Sequence, residues 1–173
     1  MDRKYKFNWE LLGDLKIGRP NLGDSTKVEV YRLFQYAFRD VMEQELGTEK
    51  TDELFFKAGK LAGEEFFLHY LQEESTDFNS FVKNLQDKLK EMGIGVLRIE
   101  KSAPESGEFT LTVSEDLDCS GLPELDYEIC TYDEGFISGI LEKFTGKAFS
   151  VKEIDCWCTG DRTCRFEAKI IDG

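Results

Sequence analysis

The stretch EIDCWCTGDRTCRFEAKI, residues 153–170, holds three of the five cysteines of the chain within nine residues. Cys156 and Cys164 flank a Gly-Asp turn, and from Cys164 onward apolar and polar residues alternate as in a half-buried strand. The stretch therefore predicts a β-hairpin with thiols at its turn. The residues alone leave three interpretations open: a metal site, a redox pair, or buried thiols without chemistry.

Length and composition indicate a single globular domain. The chain has 173 residues, 40% of them hydrophobic, and its 14 phenylalanines help to form a core without disulfides. The net charge of -13 is spread along the chain, so we expect no direct binding to nucleic acid, whose phosphates such a surface repels. We find neither a signal-peptide core nor a membrane span, and therefore expect a cytoplasmic protein, in which disulfides are uncommon.

The first half of the chain is predicted to be helical. Apolar residues recur at helical spacing over about 26–46, 51–71 and 77–92. The second helix is expected to turn its apolar residues inward: Leu54, Phe55, Ala58, Leu61, Ala62 and Phe66. Gly59 and Gly63 lie four residues apart on this helix and provide a smooth face that another helix or a ligand could approach closely.

The second half changes to alternating patterns. Residues 95–101 and 108–114 are predicted to form two strands around a turn, and 148–154 and 164–171 a final strand pair. A helix that ends at Gly146 separates the two pairs. Because this order lacks a βαβ rhythm, we predict an α+β fold: a helical layer packed on a four-stranded, or slightly larger, antiparallel sheet.

We expect one domain preceded by a short arm. No internal repeat, low-complexity tract or linker divides the chain, so the domain should span residues 25–173 and the N-terminal arm, with a short hairpin, residues 1–24. No Walker loop, GxGxxG, GxSxG or HExxH motif occurs, which leaves nucleotide binding and hydrolase chemistry without support. His69, the only histidine, is expected to have a surface or packing role, and we predict no catalytic residue.

The cysteines offer ligands for a metal ion. Zinc is held by about four tetrahedral ligands drawn from thiolate, imidazole and carboxylate groups. The local part of such a set is supplied by four residues: Glu153, Cys156, Cys158 and Cys164. Cys130, near the start of the fourth helix, could supply a further thiolate. The spacing differs from that of a standard zinc finger, so the residues alone keep the redox and inert interpretations open.

Residues in the C-terminal half also match a family pattern. The chain resembles the C-terminal signature of the 4-vinyl-reductase domain family in the order Cys130, Gly135, Gly139, Glu153-x-x-Cys156-x3-Gly160-Asp161-x2-Cys164-x-Phe166. The Gly59-x3-Gly63 helix, preceded by a helix that ends in Leu46-Gly47, is similar to the N-terminal half of the family. The resemblance covers about residues 26–171. The family is named after a bacteriochlorophyll-biosynthesis protein and includes sensory domains of aromatic-responsive bacterial transcription activators.

The resemblance implies a fold, a cofactor and a ligand set. The family fold is α+β and is related to the transport-protein-particle subunits that hold an acyl chain in a hydrophobic cavity. In the aromatic-sensing members three cysteines and one glutamate hold a zinc ion, and their spacing carries over onto four residues: Cys130, Glu153, Cys156 and Cys164. Because residues i and i+2 of a strand share a face, Cys158 could take the place of Glu153. A site closed by four protein ligands favours a structural zinc ion over a catalytic one.

The function implied by the resemblance is binding of a small hydrocarbon, aromatic or acyl-type molecule. We expect an apolar pocket between the helical layer and the sheet, with these walls: Phe66, Tyr70, Phe81, Phe109 and Val151. Because we find no DNA-binding or ATPase segment, we expect such a sensor to act through a partner or as a homodimer. Two alternatives remain, namely an enzyme or accessory subunit of tetrapyrrole vinyl reduction, and a ligand-filled scaffold protein.

Overall fold

Five α-helices and four β-strands make up the part of the chain described by the computed structural model, residues 3–75, 77–103 and 105–171. The helices are α1 (Leu15–Gly18), α2 (Val28–Leu46), α3 (Thr48–Phe66), which continues as a π-helical turn (Phe67–Leu71), α4 (Phe78–Glu91) and α5 (Thr131–Thr145). The strands are β1 (Val96–Ala103), β2 (Glu108–Ser114), β3 (Phe149–Asp155) and β4 (Cys164–Ile170). Within these ranges no helix combines the length and hydropathy needed to cross a bilayer. The element order confirms the predicted α+β class.

The four strands form one antiparallel sheet in the order β1-β2-β4-β3. The pairing places Val113 opposite Cys164 and Leu111 opposite Phe166, so the apolar residues of β2 and β4 share one face. Alternate residues of β4 from Cys164 to Ala168 are buried, as the sequence pattern predicts. The helices cover this face, and the opposite face carries polar groups such as the ion pair between Arg165 and Glu100.

Helices α3 and α5 pack with their backbones in direct contact at four glycines. Gly59 and Gly63 of α3 each face a carbonyl oxygen of α5 so closely that an added methyl group would overlap it. Gly135 and Gly139 of α5 face carbonyl oxygens of α3 in the same way. The smooth face predicted from the glycine spacing therefore receives a helix.

The glycine contact determines which side of α3 is buried. The buried stripe consists of Thr51, Phe55, Gly59, Gly63 and Phe66. The prediction that Ala58 and Leu61 point inward is wrong, since both side chains are exposed. The reason is that the glycines occupy the inner position against α5, which turns the neighbouring apolar residues away.

Helix α2 lies with its polar side toward the protein and its apolar side toward solvent. Its buried residues are Gln35 and Arg39. Its exposed apolar stripe, here called the α2 apolar face, consists of Val30, Leu33, Phe34, Ala37, Phe38 and Val41. Leu33 and Phe34 are exposed to 73% and 72%. The periodicity thus predicts the helix correctly, and the structure adds that its apolar side faces outward.

Residues 3–24 form an arm that contacts α3. A 3-10 turn (Trp9–Leu12) is followed by α1, so the predicted hairpin is wrong, because the Asp14 side chain caps a helical turn at this point. The Trp9 backbone N–H donates to the carboxylate of Glu65 at 2.9 Å, and the Trp9 ring stacks on His69 at 4.2 Å between ring centroids. The histidine therefore packs against the arm.

Candidate metal centre and apolar cavity

Four cysteines from separate segments converge at one end of the sheet. Cys119 lies in the connection between β2 and α5, and Cys130 directly precedes α5. Cys156 directly follows β3, and Cys164 begins β4. All four side chains are buried, and their sulfur atoms lie within 4.8 Å of one another. We call these four residues the thiol cluster.

The sulfur–sulfur distances are close to those of a tetrahedral metal site. Zinc–sulfur bonds of about 2.3 Å give an edge of about 3.8 Å between the sulfurs of a regular tetrahedron. Cys130 Sγ lies 3.9 Å from both Cys156 Sγ and Cys164 Sγ, and Cys119 Sγ lies 3.0 Å from Cys164 Sγ. Two edges thus already have nearly tetrahedral length, and the third has to open by about 0.8 Å. The thiol cluster could therefore bind a metal ion.

Hydrogen bonds among the thiols distribute charge unevenly within the cluster. Those from Cys119, Cys130 and Cys164 lower the pKa of the Cys156 thiol far below its usual value. Contact with Cys119 is in turn the largest cause that raises the pKa of Cys130 and of Cys164. One thiolate is therefore favoured over several, whereas a divalent cation would allow all four groups to ionise.

Glu153, the carboxylate of the predicted ligand set, lies beside the thiol cluster and is 2% exposed. Its Oε2 accepts the backbone N–H of Cys130 at 3.2 Å, while its Oε1 has no hydrogen-bond partner among the described residues. Burial, followed by the charge of Cys156, raises the pKa of Glu153 to about 9. An enclosed acidic oxygen without a partner fits a position next to a bound cation.

Cys158 lies outside the thiol cluster, although its side chain is buried. Strand β3 ends before Cys156, and Trp157–Thr159 form a 3-10 turn, so the two cysteines do not share a strand face. The backbone N–H of Thr159 instead donates to the sulfur of Cys156. The continuous strand that would make Cys158 a substitute for the glutamate is therefore absent from this turn.

Cys119 is the member of the thiol cluster that the sequence analysis does not find. It belongs to none of the spacings considered, because it is far from the hairpin in sequence. The pairing of Val113 with Cys164 brings the end of β2 next to the start of β4, and the chain continues from there into the connection that holds Cys119. The available signal is its position shortly after a predicted strand end, where the chain crosses the thiol end of the sheet.

The segment around this cysteine, residues 116–120, is held by the polar side of α2. The two carboxylate oxygens of Asp118 accept hydrogen bonds from Tyr31 at 2.7 Å and from Gln35 at 2.6 Å. Arg32 donates to two backbone carbonyl oxygens of the segment at 2.8 and 2.9 Å. Helix α2 therefore positions one of the four thiols.

An apolar cavity of about 50 Å³ lies between α4, α5 and the sheet. Its walls include Phe78, Phe81, Val82, Phe109, Leu111 and Ile140. Asp116 and Asp133 also line it, and the Oδ2 atom of Asp133 is enclosed without a hydrogen-bond partner in the described part of the chain. Burial, followed by the charge of Asp118, raises the pKa of Asp133. Carboxylate oxygens of Asp116 and Asp133 lie within 4.8 Å of Cys130 Sγ, so the acidic end of the cavity adjoins the thiol cluster.

The predicted pocket residues divide into two groups. Phe81 and Phe109 line the apolar cavity. The other three lie elsewhere: Phe66 packs against Tyr70 and against α5, and Val151 belongs to the core beneath β3. The sheet order explains this division, because β3 is an edge strand on the side opposite to β1, whereas the cavity has its walls in β1 and β2.

A second apolar hollow, of about 410 Å³, lies at the surface between α2 and α3. Its lining includes Phe34, Phe38, Met42, Leu54 and Phe55. Phe34 and Phe38 also belong to the α2 apolar face, so the hollow and that face form one continuous surface. Exposed apolar surfaces of this kind mark sites of interaction.

The elements that carry the thiol cluster agree with a known domain family. Residues 109–170 match the model of the 4-vinyl-reductase domain. The match runs from β2 through α5 to β4, and it confirms the resemblance found in the sequence over these residues. All four members of the thiol cluster lie within the matched residues, with Cys119 in the long connection between β2 and α5.

Two uncharacterized proteins of Methanocaldococcus jannaschii are similar to the chain in sequence. They are 27% and 28% identical to it over 111 and 119 residues. The alignments cover 62% and 69% of this chain and 66% and 65% of the relatives. The chain thus spans slightly less than two thirds of the length of these relatives.

Solved structures with the same fold include three proteins of different kinds. The phenol-responsive sensory domain of the transcription activator PoxR, solved with phenol, has a TM-score of 0.62 at 16% identity, covering 78% of this chain and 71% of that one. A vinyl-4-reductase family protein of M. jannaschii has a TM-score of 0.59 at 18% identity, covering 87% and 85%. A trafficking protein particle complex subunit 3 of Naegleria fowleri has a TM-score of 0.64 at 14% identity, covering 84% and 95%. At these identities the similarity concerns the fold, and it confirms the predicted relation to transport-particle subunits.

Proposed function

We propose that the chain is a small-molecule-binding domain of the sensor type, with an apolar ligand in the cavity between α4, α5 and the sheet. The observation that carries this proposal is the cavity itself, which has apolar walls and one acidic end. Ligand pockets in proteins commonly combine apolar walls with a few polar groups. The structures of PoxR with phenol and of the trafficking subunit covalently bound to palmitic acid support an apolar ligand for this fold.

The acidic end of the cavity favours a neutral ligand with a hydrogen-bonding group. Burial raises the pKa of Asp133, and a protonated carboxyl group can both donate and accept a hydrogen bond. A ligand carboxylate would bring another negative charge next to Asp116 and Asp133 in surroundings of low polarity. Among hydrocarbon, aromatic and acyl-type ligands, we therefore favour phenols and alkyl alcohols over fatty-acid anions.

Binding of such a ligand requires the cavity to widen. Its volume of about 50 Å³ is smaller than the roughly 150 Å³ of an engineered cavity that binds benzene. Helix α5 is locked to α3 through glycine contacts, whereas α4 forms its wall through side chains such as Phe78, which stacks on Phe109 at 5.6 Å. We therefore assign the movement, and the signal that it transmits, to α4.

The proposed cofactor is one structural zinc ion at the thiol cluster. Cys130, Cys156 and Cys164 belong to the ligand set that the family resemblance implies, and their sulfurs lie together. A fourth donor is available from either Glu153 or Cys119. Four protein ligands leave no open position for water, so the ion would join the hairpin to the start of α5 without taking part in a reaction.

The proposed assembly is a homodimer formed through the α2 apolar face. Six apolar residues of one helix are exposed there, next to the hollow between α2 and α3. A second copy of the chain would bury both in a symmetric contact. We further propose that residues 25–173 act as one domain with residues 1–24 as its arm, and that the protein is cytoplasmic, which fits its five unpaired cysteines.

Native mass spectrometry of the protein purified from cells tests the proposed function. We expect one zinc ion per chain and a co-purified, neutral, mostly apolar molecule. The Val82→Phe variant should lose this molecule because the larger side chain fills the cavity, whereas Met92→Phe, at the exposed end of α4, should retain it. A protein that neither retains nor binds any apolar molecule would support the scaffold alternative instead. Turnover of a vinyl tetrapyrrole with an added reductant would support the enzyme alternative.

A further inference from the structure

We propose that Cys119 is the fourth ligand of the metal site, so that the ion is held by four thiolates. Glu153 is then a positioning residue that acts through Cys130. The inference rests on the metal site of the proposed function and specifies its ligands. It departs from the three-cysteine, one-glutamate set that the family resemblance implies.

The first argument is the position of the sulfur atom of Cys119. It lies within 4.8 Å of the three other sulfurs of the thiol cluster, and 3.0 Å from that of Cys164. The oxygens of Glu153 do not belong to this group of mutually close ligand atoms. The Cys119 backbone is also fixed in this orientation, because its N–H donates to Asp116 Oδ1 at 3.0 Å.

The second argument is the set of contacts that Glu153 already makes. Its Oε2 accepts the backbone N–H of Cys130, and its own backbone N–H donates to Glu134 at 2.8 Å. Together with Asp52 and Lys152 it lines an acidic cleft on the outer side of this contact. A group that holds the backbone of a ligand orients that ligand, and such outer partners typically change metal affinity by about 10- to 100-fold.

A four-thiolate site connects the metal to helix α2. Cys119 lies in the segment 116–120, which is held by Tyr31, Arg32 and Gln35 on the polar side of that helix. Metal binding would therefore fix the segment on which α2 rests and, through it, the α2 apolar face. A site completed by Glu153 would leave this segment without a bond to the ion.

X-ray absorption at the zinc edge of the zinc-loaded, full-length protein tests the ligand set directly. We expect four sulfur neighbours at about 2.3 Å from the zinc ion. Three sulfurs and one oxygen or nitrogen at about 2.0 Å would overturn the inference and leave the proposed metal site intact. A disulfide between Cys119 and Cys164 in the zinc-loaded protein would overturn it as well. If zinc loading gives no bound ion at all, both the inference and the proposed metal site fail.

A pair of cysteine variants provides a second test with a matched control. Cys119→Ser should reduce the sulfur count to three and weaken zinc binding by more than about 100-fold, since a ligand contributes more than an outer partner. Cys158→Ser removes a buried thiol outside the thiol cluster and should keep four sulfurs. Equal zinc affinity of the two variants would contradict the proposal. The absorption measurement on the unaltered protein decides the question even if Cys119→Ser fails to fold.

Hydrogen exchange tests the connection to α2. Zinc should slow amide exchange in residues 116–120 and 31–36 of the unaltered protein and of Cys158→Ser. In Cys119→Ser, zinc should slow exchange only around residues 153–164. Slowing at residues 116–120 in Cys119→Ser that equals the unaltered protein would overturn the ligand role of Cys119.

Discussion

At the scale of single residues, Asp116 and Asp118 combine a structural role with an electrostatic penalty. Asp116 Oδ1 accepts the backbone N–H groups of Asp118 and Cys119 at 2.8 and 3.0 Å, and thereby shapes the segment 116–120. Burial, followed by the charge of Asp118, raises the pKa of Asp116 to about 7. Burial also raises the pKa of Asp118. The two carboxyl groups therefore fix the segment while opposing each other's ionisation.

The raised pKa of Asp116 predicts a pH dependence of stability. Between the ordinary value of 3.8 and about 7, the folded protein holds a proton at Asp116 that the unfolded chain releases. The resulting stabilisation is complete below about pH 4 and is lost as the pH rises through about 7. Relative to Asp116→Asn, the unaltered protein should lose up to about 1.4 kcal/mol of unfolding free energy per pH unit in this window.

Urea unfolding of the chelator-treated proteins between pH 4 and 8 measures this difference. Asp24→Asn, a change on the exposed arm, serves as the control and should give a difference from the unaltered protein that hardly varies with pH. A pH-independent difference for Asp116→Asn would show that burial does not raise this pKa.

At the scale of elements, the contact between α3 and α5 depends on the absence of side chains. An added methyl group at Gly59 would overlap the backbone carbonyl of Tyr132, which cannot move without shifting α5. We expect Gly59→Ala to destabilise the protein by about 1–3 kcal/mol, although alanine favours helices more than glycine does. Gly18→Ala, in α1, meets no atom within 4 Å and should be neutral or slightly stabilising. Denaturant unfolding of both variants measures the effect, and equal stabilities would contradict the close packing.

The α2 apolar face predicts the assembly state. Phe34→Glu places a charge in the centre of this face and should convert a dimer into a monomer, because an interface of about 800 Å² per partner tolerates no unpaired charge at its core. Ile17→Glu, on the exposed arm, makes the same chemical change outside the face and should leave the dimer intact. Sedimentation of the three proteins distinguishes the outcomes. Dimers of unchanged strength in Phe34→Glu would exclude this surface as the interface.

At the scale of the whole molecule, the segment 116–120 connects three features. It rests on α2 through Asp118, it contributes Cys119 to the thiol cluster, and it lines the apolar cavity with Asp116. A ligand that displaces Asp116 would therefore act on the same backbone that supports α2. This arrangement gives a physical route from the cavity to the surface proposed for dimerisation.

The sequence predicts those features of the molecule that depend on local patterns. The spacing of Gly59 and Gly63 indicates a close contact, and the alternation after Cys164 indicates the last strand, because both are read along one element. The position of Cys119 in the thiol cluster depends on the pairing of β2 with β4, which no local pattern reveals. The outward side of α2 is equally hidden, because periodicity locates an apolar face without showing what covers it. The cavity walls depend on strand order for the same reason, so Val151 and Tyr70 fall outside them.

Thermal unfolding of the zinc-loaded protein with phenol as the probe tests the central claim, an apolar ligand in the cavity between α4, α5 and the sheet. At a phenol concentration 100-fold above its dissociation constant, binding should stabilise the folded state by about 2.7 kcal/mol and raise the midpoint by about 5–10 °C. The Val82→Phe protein, whose cavity is filled, should show no such saturable rise, whereas Met92→Phe should behave as the unaltered protein does. If phenol, toluene and 1-octanol all leave the midpoint of the unaltered protein unchanged, or if Val82→Phe responds equally, the claim is contradicted.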